Sequence, residues 1–282
     1  MSSLNSYGYS PYPLQQYVEW TYRLLTEPTG DGTPPSKPVI ISITESSPAR
    51  LSEMLRQIGS LRERLSAFHH ARAGAESICD PSALVAVELN TSCPNIPNSP
   101  PPSYDPSTLA PLVAALATSF HSDPMLTMGL KLPPYLYSAQ YKEVVEVIGN
   151  HSCDLAVHTS YQKRINPIAY LACTNTLGSS MLFSGQTKSP NPKSSLIALP
   201  TTFGGLAGEA IHPLALGNVC AFRQLLVNHP DLGLQQIKII GIGGVTSAEA
   251  VSRMQQAGAH VVGCASLVGQ YGVKAFELLT AE

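Results

Sequence analysis

Three features of the 282-residue sequence predict an α/β fold and favour a (β/α)8 TIM barrel over a doubly wound sheet. Short apolar runs alternate with amphipathic helical segments along the chain, which is the pattern of a parallel sheet. Most of these runs are almost continuously apolar, as expected of strands that are buried on both faces. Polar motifs follow at least four of the strands. A barrel gathers all of its strand ends around one pocket, whereas an open sheet gathers them only at its switch point.

The elements follow from the spacing of apolar residues. Strands are predicted at Val39–Ile43, Leu84–Leu89, Thr127–Leu132, Ile168–Thr174, Ile237–Gly241 and His260–Cys264. Helices, recognised by apolar residues three or four positions apart, are predicted at Ala49–Phe68, Ser107–Phe120, Tyr141–Gly149, Leu214–Val227 and Ser247–Ala257. The stretch Leu177–Phe203 is rich in Ser, Pro and Lys, and we interpret it as a β-hairpin excursion. Since no linker divides the chain, residues 1–282 are predicted to form a single domain.

Composition excludes several classes of partner. The 17 basic and 19 acidic residues nearly cancel, so the chain lacks the basic footprint of a nucleic-acid-binding protein. It contains no run of about 18 unbroken apolar residues and does not begin with a secretory signal pattern, and we therefore expect no membrane partner. The six cysteines form no CxxC pair and the eight histidines show no metal-ligand spacing, which predicts free thiols in a reducing compartment and no metal site.

The most informative motif follows the Leu84–Leu89 strand and reads Glu88-Leu-Asn-Thr-Ser-Cys-Pro-Asn95. It places the amides of Asn90 and Asn95 and the thiol of Cys93 on one strand-end loop. Amides offer both donors and acceptors, which suits the edge of an imide or a pyrimidine. A cysteine on such a loop can act as a nucleophile or as a base that removes a proton from carbon. A lone cysteine is about equally often a buried apolar side chain.

Other strands end in motifs that suit a flavin nucleotide. Lys131 could hold the electron-rich N1–C2=O edge of a flavin at the mouth of a barrel, although a solvated strand-end lysine is the commoner outcome. Thr174-Asn175-Thr176 adds an amide and hydroxyls, and alone it reads as a polar turn.

Two glycine clusters, Phe203–Gly208 and Gly241–Ser247, complete the set of motifs. Glycines let backbone N–H groups approach a phosphate, and the second cluster lies directly between a strand and a helix. Its spacing is not that of the dinucleotide GxGxxG fingerprint. A mononucleotide phosphate near the last two strands of a barrel fits better, with ordinary turn chemistry as the alternative.

In this order, the motifs resemble those of the dihydroorotate dehydrogenases, in particular the class 1A branch. The resemblance covers nearly the whole chain, and it is carried by Asn5–Tyr9, the Asn-x-Ser-Cys-Pro-Asn loop, Lys131-Leu-Pro-Pro, Thr174–Thr176, Gly204–Gly208 and Gly241–Gly244. The loop with Cys93 is the most specific of these motifs. The cysteine in this position resembles the class 1 enzymes, because the membrane-associated class 2 enzymes have a serine there.

The resemblance implies an FMN-containing barrel that oxidises (S)-dihydroorotate to orotate in pyrimidine (UMP) biosynthesis. It also implies fumarate as the electron acceptor and a cytoplasmic homodimer. Cys93 would be the catalytic base, removing a proton from C5 while hydride leaves C6 for flavin N5. The implied substrate-binding residues are Asn5, Tyr7, Gly8, Tyr9, Asn90, Asn95, Asn175 and Thr176. The implied FMN-binding residues are Lys131, Thr174, Gly205, Gly243, Gly244, Ala265 and Ser266.

Departures from the family pattern keep alternatives open. The family has an upstream stretch with the first two barrel strands, an Ala-Ser-Gly turn and a lysine beside the flavin. Nothing before Asn5 corresponds to it, so the barrel is expected to be N-terminally incomplete. The usual Gly-Thr after the last strand reads Ala265-Ser266. One alternative is a truncated or degenerate paralogue that acts as a non-catalytic binding protein. Another is the related flavin barrel that reduces free pyrimidine bases, which Asn95 and Lys131-Leu-Pro-Pro fit less well.

Overall fold

The structure is a computed structural model that describes residues 1–30, 32–72, 80–93, 95, 100–158, 161–187 and 196–280. Its strands are β1 (Ser2–Asn5), β2 (Val39–Ile43), β3 (Val85–Asn90), β4 (Thr127–Leu132), β5 (Cys153–His158), β6 (Tyr161–Ile165), β7 (Tyr170–Cys173), β8 (Leu177–Ser180), β9 (Gly204–Gly208), β10 (Lys238–Ile242) and β11 (Val261–Gly263). Its α-helices are α1 (Leu14–Thr26), α2 (Pro48–Arg72), α3 (Pro106–Ser122), α4 (Ser138–Gly149), α5 (His212–Val227), α6 (Leu232–Gln235), α7 (Ala248–Gln256), α8 (Ser266–Tyr271) and α9 (Lys274–Thr280).

The main sheet has six parallel strands that lie side by side in chain order, β2-β3-β4-β7-β10-β11. Crossovers between parallel strands are right-handed, so strands added in one direction carry their helices on one side of the sheet. A doubly wound sheet instead reverses its order at a switch point. The described sheet has no reversal, which confirms the prediction of a (β/α)8 barrel that is incomplete.

All of the predicted strands are present. The largest difference is at Ile168–Thr174, where β7 is shorter and spans Tyr170–Cys173. Helix α2 illustrates why the spacing of apolar residues also predicted the helices. It buries a continuous apolar stripe along one face. The stripe consists of Leu51, Leu55, Ile58, Leu61 and Leu65. Strand β3 lies inside the sheet between β2 and β4 and is buried from Val85 to Leu89, as its largely apolar sequence predicts.

The β-excursion is confirmed within the described part of Leu177–Phe203. Strand β8 pairs antiparallel with β9, and Phe183 forms an isolated antiparallel bridge with Ile197. Residues 188–195 of this stretch lie outside the described residues. Strand β1 was not predicted, because its four residues include no β-branched side chain and give no strand signal. It pairs with β9 and completes the small sheet β1-β9-β8.

One helical stretch among the described residues, Glu209–Val227, is long and apolar enough by length and composition to cross a membrane. It contains α5, whose Ala215, Val219 and Phe222 are fully buried in the hydrophobic core. The apolar character of α5 is therefore used in packing against the sheet.

Gly129→Ala in β4 is expected to lower the free energy of unfolding by about 1–3 kcal/mol. A Cβ at this position would stand 2.3 Å from Cε2 of Tyr170. The ring has little freedom to move, because the Tyr170 hydroxyl donates to the Val87 carbonyl at 3.1 Å.

The matched control is Gly59→Ala in the middle of α2, where an added Cβ meets nothing within 4 Å. It should stabilise the chain by about 0.5–1 kcal/mol, since alanine is the better helix former. Denaturant unfolding of both variants tests the packing, and effects of the same sign would contradict it.

Candidate active site

The carboxyl ends of β3, β4 and β7 bring three of the predicted motifs to one edge of the sheet. The strand register places Asn90 opposite Lys131 and Leu132 opposite Cys173. Neighbouring strands are about 4.8 Å apart, so the residues that follow these strands share one mouth. Backbone bonds continue the contact past the strands, since the Asn175 N–H donates to the Leu132 carbonyl at 2.8 Å.

Asn90 and Asn175 are joined through their side chains. Nδ2 of Asn175 donates to Oδ1 of Asn90 at 3.1 Å and to Oγ of Ser92 at 3.0 Å. The same Asn90 oxygen accepts from the backbone N–H of Ser92 at 3.2 Å, and the Ser92 hydroxyl oxygen lies 3.1 Å from it. Oδ1 of Asn175 accepts from the backbone N–H of Thr176 at 2.8 Å. These bonds orient both amides, and among the described residues Nδ2 of Asn90 is left without an acceptor.

The Asn5–Tyr9 motif lies next to the loop after β3, because Asn95 of that loop binds it. Nδ2 of Asn95 donates to the carbonyl of Tyr7 at 2.8 Å and to Oδ1 of Asn5 at 3.3 Å. Asn5 in turn donates to the carbonyl of Gly205 at 3.3 Å. Pairing of β1 with β9 therefore carries Asn5 to the loop after β3.

Cys93 lies beside these amides. It is half-buried and lines a small cavity together with Tyr9, Asn90, Ser92 and Glu45. Tyr9 and Gly8 are exposed, and Tyr7 meets the site through its carbonyl rather than its side chain.

Sequence reasoning missed Glu45, which follows β2. Its Oε1 accepts from the backbone N–H groups of Ser46 and Ser47 at 2.8 and 2.9 Å, just ahead of α2. An acidic residue directly after a predicted strand was the signal that could have drawn attention to it.

Hydrogen bonds to the Lys131 carbonyl fix the Cys93 loop from behind. This oxygen accepts from the hydroxyls of Thr91 and Ser92, both at 2.9 Å. Ser103 holds the next stretch, since its hydroxyl donates to the Thr91 carbonyl at 2.8 Å. Because these groups are buried and paired, the loop has little freedom to swing away from β4.

A second buried clamp fixes the chain after Lys131. Oδ1 of Asn218 in α5 accepts from the Tyr135 N–H at 2.8 Å, and Nδ2 donates to the Tyr135 carbonyl at 3.2 Å. The Tyr135 hydroxyl donates to the Ser103 carbonyl at 2.7 Å, which links this clamp to the Cys93 loop. Sequence reasoning had no signal for Asn218, because its partner lies 83 residues away.

A second cavity runs from Lys131 to the glycine turn after β10. It is lined by Lys131, Thr174, Asn175, Thr176, Ala207, Gly208, Ile211, Ile242, Gly243, Gly244, Val245, Thr246, Cys264, Ala265 and Ser266. The resemblance also implied Gly205, which is not among the lining residues; it packs directly behind Thr176, where an added Cβ would stand 2.1 Å from Oγ1, and Gly208 of the same strand lines the cavity.

Two features of this cavity point to a ligand. Oγ1 of Thr174 is buried without a hydrogen-bond partner among the described residues, and Thr174 is only 3% exposed. Buried hydroxyls are normally paired, so an unpaired hydroxyl on a residue that lines a cavity is a candidate partner for a ligand. The turn itself leaves no room for side chains, since an added Cβ at Gly243 or Gly244 would stand 2.6 Å from Ala215 or His212.

Glu88 is a buried carboxyl group in β3, two residues before Asn90. It is 8% exposed, and burial raises its pKa above the ordinary value. The charge of Lys131 and a hydrogen bond from the Ser42 hydroxyl at 3.5 Å act in the opposite direction.

Glu88→Gln is expected to stabilise the folded chain at neutral pH. The pKa of Glu88 is higher in the folded than in the unfolded chain, so stability falls as the pH rises from the unfolded value of 4.5 through the folded value. Glutamine stays neutral at every pH. The gain in melting temperature should therefore be present near pH 7.5 and vanish below about pH 4. Exposed Glu143→Gln in α4 is the control, and an equal gain at both pH values would contradict the interpretation.

Comparison with known proteins agrees with the arrangement of motifs. A sequence model of the dihydroorotate dehydrogenases matches residues 71–282. A probable dihydroorotate dehydrogenase A (fumarate) from Streptococcus pneumoniae serotype 4 is 30% identical over 195 residues, which are 69% of this chain and 52% of that protein. A putative dihydroorotate dehydrogenase A (fumarate) from Streptococcus agalactiae serotype Ia is 29% identical over 196 residues, 70% of this chain and 53% of that protein.

The fold is similar to the crystal structure of a ligand-free type DHODH from Eimeria tenella. The TM-score is 0.66 at 12% sequence identity, and the match covers 99% of this chain and 68% of that one. The chain spans about half the length of the curated relatives it matches.

Proposed function

Because the chain belongs to the dihydroorotate dehydrogenase family, we propose that it carries out the FMN-dependent oxidation of (S)-dihydroorotate to orotate. The observation that carries the proposal is the joined amide pair of Asn90 and Asn175, with Cys93 on one side and the Thr174 cavity on the other. A pyrimidine needs paired donors and acceptors at its edge, and a flavin nucleotide needs a cavity with a phosphate site.

The residues that line the second cavity offer the chemical groups that would hold FMN. The unpaired Thr174 hydroxyl offers a hydrogen bond, and Lys131 offers a positive charge for the N1–C2=O edge of the ring. The turn at Gly243 and Gly244 lets backbone N–H groups approach a phosphate, with Ala265 and Ser266 on the same wall. When bound, FMN supplies an acceptor for the hydride that leaves C6 of the substrate.

The residues around the first cavity would position dihydroorotate and take its proton. The unused Nδ2 donor of Asn90 suits a ring carbonyl, and Asn5, Asn95, Asn175 and Thr176 surround the ring. The backbone of Tyr7, Gly8 and Tyr9 would receive the carboxylate. Cys93 is the base, and its sulfur takes the proton from C5.

The remaining proposals follow the relatives. The names of the streptococcal proteins specify fumarate, and we propose fumarate as the electron acceptor here. We also propose a place in pyrimidine (UMP) biosynthesis, a cytoplasmic location, and a homodimer built from one domain over residues 1–282. A single contiguous hydrophobic core supports that domain assignment.

A non-catalytic binding protein is the second candidate. It is favoured by the main sheet, which has six strands in the described part of the chain, whereas the family barrel has eight. Strands β2 and β11 therefore end the sheet with one strand neighbour each.

The purified full chain is expected to be yellow and to lose its flavin absorbance on addition of dihydroorotate. Cys93→Ala should slow this bleaching at neutral pH by about 100-fold or more, because a positioned base typically contributes that much, while FMN content is unchanged. The control is Cys220→Ala on α5, another half-buried thiol. A folded, colourless protein that does not respond to dihydroorotate would overturn the proposal and favour the binding protein.

Thr174→Val is expected to change stability and flavin binding in opposite directions. Valine removes a buried, unpaired hydroxyl, so the flavin-free chain should gain about 1 kcal/mol, while FMN affinity should fall up to roughly tenfold. Thr91→Val is the control, because its hydroxyl is paired with the Lys131 carbonyl and its loss should destabilise the chain. Unfolding curves and FMN titrations measure both effects. Weaker folding of Thr174→Val with unchanged FMN affinity would contradict the role of this hydroxyl.

A further inference from the structure

The glycine turn of the second cavity is held from the side by His212, a residue that no motif singled out. Nδ1 of His212 lies 2.7 Å from the carbonyl oxygen of Gly243. A carbonyl only accepts, so Nδ1 carries the hydrogen. Nε2 is then an acceptor, and Nε of Arg253 donates to it at 3.3 Å. Both contacts select the same neutral tautomer of the imidazole.

His212 also packs against the second glycine. It is the first residue of α5 and is 8% exposed. An added Cβ at Gly244 would stand 2.6 Å from Cβ of His212. Gly243 and Gly244 have φ angles of 139° and 67°, and a pair of glycines is free to leave such a conformation unless something holds it.

The bond to the Gly243 carbonyl fixes the whole peptide unit between the two glycines. The unit is planar and trans, so the N–H of Gly244 points away from the edge that His212 holds. This N–H donates to no group among residues 1–30, 32–72, 80–93, 95, 100–158, 161–187 and 196–280. It is therefore a backbone donor of fixed direction at the wall of the cavity.

We propose that His212 is a positioning residue for the phosphate of FMN. By holding the Gly243 carbonyl, it presents the Gly244 N–H to the phosphate, and Arg253 keeps the imidazole in the tautomer that does so. The inference rests on the proposed function, because it takes FMN as the ligand of this cavity. It adds a residue that contributes to recognition of the phosphate alone, not of the flavin ring.

The test compares FMN with riboflavin, which has the same ring and no phosphate. Binding of each flavin to the full chain is followed by quenching of flavin fluorescence. His212→Ala should weaken FMN binding roughly tenfold, the value of about one hydrogen bond, and leave riboflavin binding unchanged. His212→Asn should restore FMN affinity, because the side-chain amide again offers a donor close to the backbone. A purely structural role would weaken both flavins equally.

Two further variants keep the outcome clear. Arg253→Ala alters an exposed side chain, so it leaves the fold intact, and it should also weaken FMN selectively. His260→Ala is the matched control, because Nδ1 of His260 accepts from the Ile239 N–H at 3.1 Å at the opposite end of β10. It should not change the ratio of FMN to riboflavin affinity.

Two results would overturn the inference and separate it from the proposed function. If the wild-type chain binds FMN but the FMN-to-riboflavin ratio is unchanged in His212→Ala and Arg253→Ala, the positioning role is wrong and the proposed function stands. If the wild-type chain binds no FMN, both are wrong.

Discussion

Parallel pairing of β3, β4 and β7 in one register is the constraint on which the rest of the structure depends. It places Asn90 opposite Lys131 and brings Asn175 within hydrogen-bond distance of Asn90. Interiors of this kind are closely packed, so a shift of one residue in β4 would exchange buried and cavity-facing side chains. The site geometry is therefore a property of the sheet, and the loops add chemical groups to positions that the strands have already set.

Polar groups that are paired with each other hold the site in place, whereas unpaired polar groups mark the surface that binds a ligand. Ser103, Tyr135 and Asn218 are buried and fully engaged behind the Cys93 loop, and they give the loop rigidity without facing a ligand. The Thr174 hydroxyl and the Gly244 N–H are unpaired among the described residues. Leaving buried polar groups unpaired costs free energy, and both belong to residues that line the same cavity. A ligand with a phosphate and a polar ring would satisfy them.

Sequence patterns predicted the main sheet well because its strands are buried on both faces and therefore almost continuously apolar. The short strand β1 and the hairpin of β5 and β6 escaped prediction, since they lie outside that sheet and lack its pattern. The amides on the β3 loop could be predicted from their strand-end position. His212 and Asn218 could not, because each acts on a residue 31 or 83 positions away, and only the packing of α5 brings them there.

The central claim is that one mouth of this sheet holds a flavin nucleotide and a pyrimidine side by side. A crystal structure of the full chain with FMN and orotate tests it most directly. The account predicts the phosphate against Gly243 and Gly244 and orotate in contact with Asn90 and Asn175. FMN at another place on the chain, or orotate touching neither amide, would contradict it.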